Sequence, residues 1–543
     1  MNKSKSIVKQ AGILAIAGIL VRIIGVLYRS PLTAMIGDEG NGYYSTAYNI
    51  YALVLMISSY SIPTAISKLI SEKLALNQYN FAKKIFKVAM IYVAVIAGAA
   101  ALVTFILAPF IVTKNAVFAL RILCPTIFVS GLVGVLRGYF QAHSTTVYTS
   151  ISQIIEQVFN ACVSVGAAWL FIQPFKNGGD VHMMASRGAG GSALGTGAGV
   201  LAALIYIGLM YLMKHNRMTE ETDPDNYEED TKAIYKAILN IVTPIIIATC
   251  VYNLITTIDM YIYYGIMNMR HMDAIMQAKL YGVYAGKYFV LQNVPVALAS
   301  AMSTAAIPSI SGSYALKNLD DVRANITNAI NVTMLILIPS AVGMGVLSYP
   351  IMGLLFPQPE TLKLASMALT IGAPSIVFFG LSTLTNGILQ GVGAVKVPLH
   401  NAVIALVVHV ITLPIMLMLM PHPWLEQAVF ILVISNALYA LQISFANDAS
   451  IKKLLQYKHA RRTFVLPVIA STIMGAIVYL SYKGLFILSG HMVFLPLVLS
   501  IMIGVIVYFV VILYLYKDHL ELLNSIPMMD KVTSRLMKKT ADK

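Results

Sequence analysis

Residues 125–141, PTIFVSGLVGVLRGYFQ, return later in the chain as residues 374–390, PSIVFFGLSTLTNGILQ. The matched Pro, Ser or Thr, Ile, Gly, Leu, Gly and Gln positions keep a constant spacing, so the stretches align without a gap. A looser echo pairs residues 62–64 (IPT) with residues 307–309 (IPS). Two homologous halves that cross a bilayer many times are typical of secondary transporters, because a site between two repeats can open to either side. The sequence therefore predicts a carrier.

Composition identifies the solvent around most of this chain. Hydrophobic residues make up 58% of it and charged residues 11%, whereas soluble domains carry about 25% charged residues. Because a helix needs roughly 20 apolar residues to cross a bilayer, the chain has room for about fourteen spans. We predict an all-α integral membrane protein with two pseudo-symmetric six-helix lobes plus two C-terminal helices. The predicted spans are residues 10–36, 44–70, 85–112, 117–141, 147–172, 193–213, 237–267, 281–312, 324–355, 361–392, 397–420, 425–448, 463–489 and 491–516.

The spans group into lobes joined by polar segments. Residues 219–230, TEETDPDNYEED, are acidic and indicate a cytoplasmic linker between the halves. Residues 176–199 are rich in Gly and Ala and predict a flexible outer loop that enters a closely packed helix. The predicted organisation is an N-terminal lobe (1–218), a linker (219–236), a C-terminal lobe (237–450), a C-terminal helix pair (451–520) and a basic tail (521–543).

The distribution of Lys and Arg predicts the orientation. Most of them fall on segments that are cytoplasmic if the N-terminus is cytoplasmic, as the positive-inside rule requires. An even number of spans then places the C-terminus in the cytoplasm too. The net charge of +15 is explained by this topology and by anionic lipid headgroups, so no nucleic-acid partner is expected.

The sequence carries no signature of catalysis. It has no Walker A motif, no Cys/His metal pattern and no nucleophile elbow. We therefore predict a transporter that is not an enzyme and has no organic cofactor. An ion gradient, of sodium or protons, or the membrane potential must drive it.

Cations inside the first span are the leading candidates for a binding site. Arg22 and Arg29 are seven residues apart, two helical turns, and so share one face with Gly18 and Gly25. Charge is costly in hydrocarbon, so this face should line an interior cavity. Alternatively, Arg29 snorkels to the headgroups and Arg22 packs against a helix carbonyl.

A polar stripe in the seventh span suggests an ion site. Its hydroxyl, amide and carboxylate groups recur at helical spacing and comprise Thr249, Tyr252, Asn253, Thr256 and Asp259. Oxygen ligands of this kind could bind sodium. The same stripe could instead place Asp259 beside Lys287 of the eighth span as a structural ion pair.

Two further polar side chains are candidates for the cavity wall. Glu156 belongs to a polar run on the fifth span, and Gln292 follows Lys287 on the eighth. For Glu156 the alternative is a polar patch where helices pack.

Two stretches carry a family resemblance: residues 27–44, LYRSPLTAMIGDEGNGYY, and residues 136–157, LRGYFQAHSTTVYTSISQIIEQ. With them the chain resembles the polysaccharide-flippase branch of the multidrug/oligosaccharidyl-lipid/polysaccharide exporter superfamily. Within that branch it is similar to the stage V sporulation protein B, YtgP-type and MurJ-type lipid II flippase group.

The resemblance implies a central cavity between the lobes, with a groove for a polyprenyl tail built by the last two helices. It implies that Arg22 and Arg29 are cavity arginines, that Lys287 stands where some relatives have arginine, and that Asp259 is a sodium ligand. Asn401 is the nearest match for the eleventh-span partner of that site.

The function implied is a flippase in the bacterial plasma membrane, expected to be monomeric. Its cargo would be the lipid-linked oligosaccharide lipid II, moved by alternating access for peptidoglycan biosynthesis, with a role in cell shape or sporulation. Two alternatives stay open: a flippase for a teichoic or exopolysaccharide unit, or a cation-coupled multidrug exporter. The basic cavity candidates argue against the exporter, because cationic drugs call for carboxylates.

The repeated motif also suggests where the lobes bend. Pro125 and Pro374 occupy equivalent places in the two halves, and prolines are common causes of helix kinks. We predict that they are bending points between inward and outward states; the alternative is that both are inert kinks.

Overall fold

The computed structural model describes residues 2–60, 62–143, 145–175, 179–218, 231–459 and 461–516. Side chains of residues 2–16, 215–218, 240–253 and a few single positions fall outside that description, as do the acidic stretch 219–230 and the tail 521–543. All elements in the described residues are helical. The predicted all-α class is confirmed.

Contacts divide the chain into two units, residues 1–286 and 287–543. In the first unit a π-helical segment, Met56–Tyr60, joins the first two α-helices. The α-helices of this unit are α1 (Asn2–Leu55), α2 (Ile62–Ala75), α3 (Tyr79–Ile111), α4 (Val117–Ala142), α5 (Val147–Ile172), α6 (Val181–Met218), α7 (Thr231–Met269) and α8 (Ala274–Tyr281).

The second unit begins in another π-helical segment, Gly282–Tyr288. Its α-helices are α9 (Phe289–Ala315), α10 (Leu319–Val346), α11 (Ser348–Leu355), α12 (Pro359–Gly391), α13 (Lys396–Leu419), α14 (Ala428–Leu455), α15 (Arg462–Leu488) and α16 (Phe494–Leu515).

Twelve stretches of the described residues are long and apolar enough to cross a membrane. One of them, Leu20–Ala75, has 56 residues, enough for the first two predicted spans. The seventh predicted span coincides with α7, where residues 240–253 lie outside the side-chain description. The stretch Leu20–Ala75 holds two predicted spans, and α7 holds one that is not among the twelve. With both included, the helices match the fourteen predicted spans of roughly 20 residues each.

The Gly- and Ala-rich stretch 176–199 is largely helical, because α6 begins at Val181. The predicted flexible loop is therefore wrong, whereas the predicted close packing is present. Added Cβ atoms at Gly191 and Gly195 would overlap backbone atoms of α5. Small residues let two helix backbones approach, so this composition reflects helix packing.

Helix α7 packs with the first unit, against α1, α2 and α3. The sequence had assigned it to the C-terminal lobe, which was expected to begin at residue 237. The two boundaries rest on different criteria, since the sequence boundary follows the repeat and the structural boundary follows contacts.

The repeated motif packs in the same way in each half. In α4, a Cβ added at Gly138 would lie 2.8 Å from the carbonyl oxygen of Pro63 in the IPT echo. In α12, the matching Gly387 lies against Ser303 and Ile307, next to the IPS echo. Both halves therefore use a motif glycine to seat the motif helix on the helix that carries the Ile-Pro-Ser/Thr sequence.

Helix α1 consists of two helical halves that meet at Gly37, whose φ of 67° and ψ of −178° are not helical. A residue with a side chain rarely adopts that backbone conformation. The second half then packs closely on α8, because a Cβ at Gly42 would overlap the carbonyl group of Ala278. The kink and this contact fix the direction of α1 on both sides of residue 37.

We expect Gly42→Ala to destabilise the protein, because the new methyl group meets backbone that cannot rotate away. Overpacking of this kind typically costs about 1–3 kcal/mol. Gly166→Ala in α5 is the control, since a Cβ there has no neighbour within 4 Å. Thermal unfolding in detergent should show a lower midpoint for Gly42→Ala alone; equal midpoints for both variants would contradict the packing assignment.

Candidate functional site

The N-terminal half of α1 presents two guanidinium groups within a candidate span. Arg22 is exposed and Arg29 partly exposed. Between them, a Cβ at Gly25 would lie 3.3 Å from the side-chain nitrogen of Gln157. This part of α1 therefore lies beside α5, close to the helix turn that carries Glu156.

Tyrosines surround these cations. The guanidinium carbon of Arg29 lies 5.6 Å from the centre of the Tyr44 ring, and the Tyr28 side chain lies beside Arg29. Tyr48 is 37% exposed, yet it lies in the electrostatic field of Arg22, Arg29 and Glu156. We call Arg22, Tyr28, Arg29, Tyr44 and Tyr48 the cationic face.

The cationic face has the character expected of a cavity wall. Arg22, Arg29 and Tyr48 are at least partly exposed although they lie in a helix long enough to span a membrane. Charge within a span normally faces a water-filled space or a partner. Two guanidinium groups, one of them against an aromatic ring, can bind an anionic ligand.

Glu156 is held by an ion pair. Its carboxylate lies 2.7 Å from the Arg137 guanidinium, and Nε of Arg137 donates to the Ser152 hydroxyl at 2.9 Å. The pair is partly exposed, with 31% of the Glu156 side chain accessible. Glu156 thus joins α5 to α4. Its charge also acts on the hydroxyl of Tyr48, which belongs to the cationic face.

Arg137 and the tyrosines were missed from the sequence. Tyr44, Tyr48 and Tyr51 recur at helical spacing, which was a usable signal. Arg137 lies in the predicted span 117–141, and no spacing rule links it to a glutamate on another helix.

Lys287 and Gln292 lie in the interior of the second unit. The Lys287 side chain is inaccessible to solvent, and its Nζ donates to the Thr361 hydroxyl at 2.9 Å. The side-chain nitrogen of Gln292 donates to the Ser375 hydroxyl at 2.9 Å. Lys287 lies in the π-helical segment Gly282–Tyr288. A π-helical turn shifts the helical register, so Lys287 projects in a different direction than it would from a continuous α-helix. The cavity role predicted for both residues stays a prediction.

The proposed ion ligands are distributed over both units. Asp259 is buried in α7, and its charge acts on the Tyr281 hydroxyl. Thr256 lies one turn earlier and is partly exposed, whereas the side chain of Asn253 falls outside the described residues. Asn401 is in the second unit, where its amide donates to the Asn447 side chain at 2.9 Å.

Both predicted bending points lie inside continuous helices. Pro125 is within α4 and Pro374 within α12. Each is followed by a buried hydroxyl, that of Thr126 or Ser375. The Ser375 hydroxyl donates to the Gly372 carbonyl at 2.6 Å. The hinge role remains a prediction.

An apolar groove of about 460 Å³ runs between α10, α15 and α16 of the second unit. The Tyr508 hydroxyl donates to the Leu335 carbonyl at 2.9 Å and so joins α16 to α10. Hydrocarbon side chains dominate the walls, among them Leu335, Pro339, Met344, Met474, Val505 and Phe509. Such a groove can hold an alkyl chain.

Comparison with known proteins agrees with these features. The chain matches the polysaccharide biosynthesis protein family over residues 7–314 and the MatE family over residues 288–415. It is 25% identical over 499 residues to the lipid II flippase MurJ of Bacillus subtilis strain 168, covering 87% of this chain and 88% of that one. It is 23% identical over 328 residues to stage V sporulation protein B of the same organism, covering 60% and 61%.

The fold is also similar to solved structures. A lipid II flippase MurJ in an inward closed conformation superposes with a TM-score of 0.68 at 16% identity, over 93% of this chain and 99% of that one. A multidrug resistance MATE family transporter of the MOP superfamily, inward-facing, gives a TM-score of 0.63 at 14% identity, over 82% and 99%. The predicted resemblance and fold class are confirmed.

Proposed function

Because the chain belongs to the polysaccharide biosynthesis protein family, we propose that it is a flippase for a lipid-linked saccharide in the bacterial plasma membrane. We propose lipid II, an undecaprenyl-diphosphate-linked cell-wall precursor, as its cargo. The relative that matches 87% of the chain is a lipid II flippase, which supports this choice.

The cationic face is the observation that carries the proposal. A diphosphate that enters a bilayer-spanning bundle leaves water, so it needs fixed cations and hydrogen-bond donors. Arg22 and Arg29 can each bind phosphate oxygens through two parallel N–H groups. Tyr44 and Tyr28 contact the Arg29 guanidinium and so orient it before the cargo arrives.

The groove of the second unit suits the other end of such a cargo. Its walls are mainly hydrocarbon, so a polyprenyl chain can lie there without exposing polar backbone. A polyprenyl tail therefore matches the chemistry of this groove. We propose that the groove between α10, α15 and α16 receives the polyprenyl tail.

Alternating access would move the head group between leaflets, with both termini in the cytoplasm as the Lys and Arg distribution predicts. The cationic face would hold the diphosphate while the access side changes, and Pro125 and Pro374 would supply the bends. Rocking of two repeats about a central site is the common mechanism of transporters built from repeats.

A second candidate cargo is another lipid-linked glycan, such as a teichoic acid or exopolysaccharide unit. The similarity to stage V sporulation protein B favours a use in sporulation, and the cationic face would bind the diphosphate of any polyprenyl-linked glycan. A multidrug exporter shares the fold, but two accessible guanidinium groups repel the cationic drugs that such exporters remove.

Replacing Arg29 or Arg22 with Ala should strongly reduce transport while leaving the protein inserted and abundant. Loss of a hydrogen bond to a charged group costs about 1.5–3 kcal/mol, which corresponds to roughly a 10- to 150-fold loss of rate. Lys should restore activity only weakly, because it lacks the planar fork. The measurement is the growth of a bacterium that is depleted of its own flippase and carries one variant at a time.

Arg121→Ala is the matched control. Arg121 also stacks on an aromatic ring, with its guanidinium carbon 5.1 Å from the centre of Phe105, but it lies outside the cationic face. It should support normal growth. Full growth with Arg22→Ala and Arg29→Ala, at normal protein levels, would refute the assignment of the cationic face.

We also propose that Asp259, with Thr256 and Asn253, provides oxygen ligands for a coupling sodium ion. The carboxylate is buried in α7 one helical turn after Thr256, so oxygen atoms of both side chains lie on the same side of the helix. The competing proposal from the sequence is that Asp259 neutralises Lys287.

Asp259→Asn distinguishes the two roles. If the carboxylate binds sodium, transport by Asp259→Asn should lose its sodium dependence, and Lys287 should still be required. Asp38→Asn, which alters another buried carboxylate of the first unit, should keep that dependence. Recovery of lost stability in the Asp259→Asn, Lys287→Gln double variant, with sodium-independent transport by the unaltered protein, would support the ion pair instead.

A further inference from the structure

A small pocket lies at one end of the first unit, where α2, α3, α4 and α6 meet. It does not involve α1 or α5, the helices associated with the cationic face. Its volume is about 130 Å³. The lining residues with polar side chains are Tyr79, Lys83, Lys87, Tyr139, His143 and Tyr211.

The charge of the pocket favours an anion. Lys83 and Lys87 are four residues apart on α3, so both project from the same side of the helix. The described residues that line the pocket include both lysines and no carboxylate. A phosphate group is the anion that a pair of lysines beside membrane-spanning helices commonly meets.

His143 adds a specific acceptor. Its Nδ1 lies 2.9 Å from the Tyr139 carbonyl oxygen, which can only accept, so Nδ1 carries the proton. Burial lowers the pKa of His143 below its usual value, and the ring is therefore neutral near pH 7. Nε2 is then an acceptor, and it is buried without a hydrogen-bond partner in the structure. A hydroxyl group on the ligand would satisfy it.

Aromatic rings also line the pocket. The rings of Phe86 and Tyr211 stack with centres 4.9 Å apart, and Tyr139 meets Tyr211 edge-on at 5.0 Å. These contacts hold the ends of α3, α4 and α6 in place around the pocket. The pocket is therefore built from side chains that are already ordered by packing.

Its size excludes a sugar-bearing cargo. Sites for drug-sized ligands measure about 300–1,000 Å³, whereas this pocket has room for about four water molecules at about 30 Å³ each. A single phosphodiester group with a short alcohol fits that size class.

The surroundings favour a lipid over a soluble phosphate. Beyond the pocket, α3 exposes Ile91 and Val95, and α6 exposes Leu209 and Leu212. These apolar side chains would contact acyl chains whose headgroup occupied the pocket. Tyrosine and lysine together are also typical of the headgroup level of a bilayer.

We propose that this pocket binds the phosphodiester headgroup of an anionic lipid that carries a free hydroxyl, as phosphatidylglycerol does. Lys83 and Lys87 hold the phosphate, and Nε2 of His143 accepts a hydrogen bond from the hydroxyl group. The lipid clamps the ends of α2, α3, α4 and α6 together. This assignment is independent of the cargo that the protein moves.

The test measures thermal unfolding of the full-length protein in detergent while short-chain lipids are added. Phosphatidylglycerol should raise the unfolding midpoint more than phosphatidylcholine does. The Lys83→Gln, Lys87→Gln variant should need at least about tenfold more phosphatidylglycerol for half of the effect, equivalent to about 1.4 kcal/mol. Lys84→Gln changes a neighbouring lysine that does not line the pocket and should behave like the unaltered protein.

Two further arms identify the ligand. His143→Phe keeps a flat ring without the acceptor, and should abolish the preference for phosphatidylglycerol over phosphatidylmethanol, which lacks the hydroxyl. Soluble glycerol phosphate should compete poorly; stabilisation equal to that of the lipid would overturn the lipid assignment in favour of a soluble phosphate ester. Equal stabilisation by phosphatidylcholine, or an unchanged response of the double lysine variant with its lipid-free midpoint intact, would overturn the site.

Discussion

The cost of placing charge in hydrocarbon governs the first unit. Two guanidinium groups on α1 lie within a stretch long enough to span the bilayer, and such charges persist only beside water, a partner or a ligand. The Tyr44 ring against Arg29 meets part of that requirement from within the protein. The remaining accessible positive charge is what makes an anionic cargo the consistent interpretation.

Close glycine contacts provide the framework that holds these groups in place. Without a strong hydrophobic drive between helices in a bilayer, association depends on close packing, which small residues permit. Gly138 and Gly387 seat the two motif helices in equivalent ways, and Gly42 brings α1 against α8. The sequence repeat that indicated a transporter is thus also a packing repeat. In both halves it places a buried hydroxyl, Thr126 or Ser375, directly after the helix proline.

Much of the architecture follows from the sequence alone, because helices in a membrane must be long and apolar and such stretches are visible in composition. The cations of α1 were also predictable, since charge within an apolar run stands out. Contacts between helices were not. The Arg137–Glu156 pair joins residues 19 positions apart on two helices, and the buried Lys287 lies in a π-helical segment that no propensity indicates. The predicted loop at residues 176–199 failed because glycine was interpreted as flexibility where it serves helix contact.

The central claim is that this protein moves a lipid-linked diphosphate saccharide, and lipid II in particular, across the bilayer. The most direct measurement reconstitutes the purified protein in vesicles that contain labelled lipid II or a labelled teichoic acid precursor, and follows transfer between leaflets under a sodium gradient. The account predicts transfer of lipid II well above the rate in protein-free vesicles, and little transfer of the teichoic precursor. Transfer of the teichoic precursor alone, or of neither lipid by correctly folded protein, would contradict it.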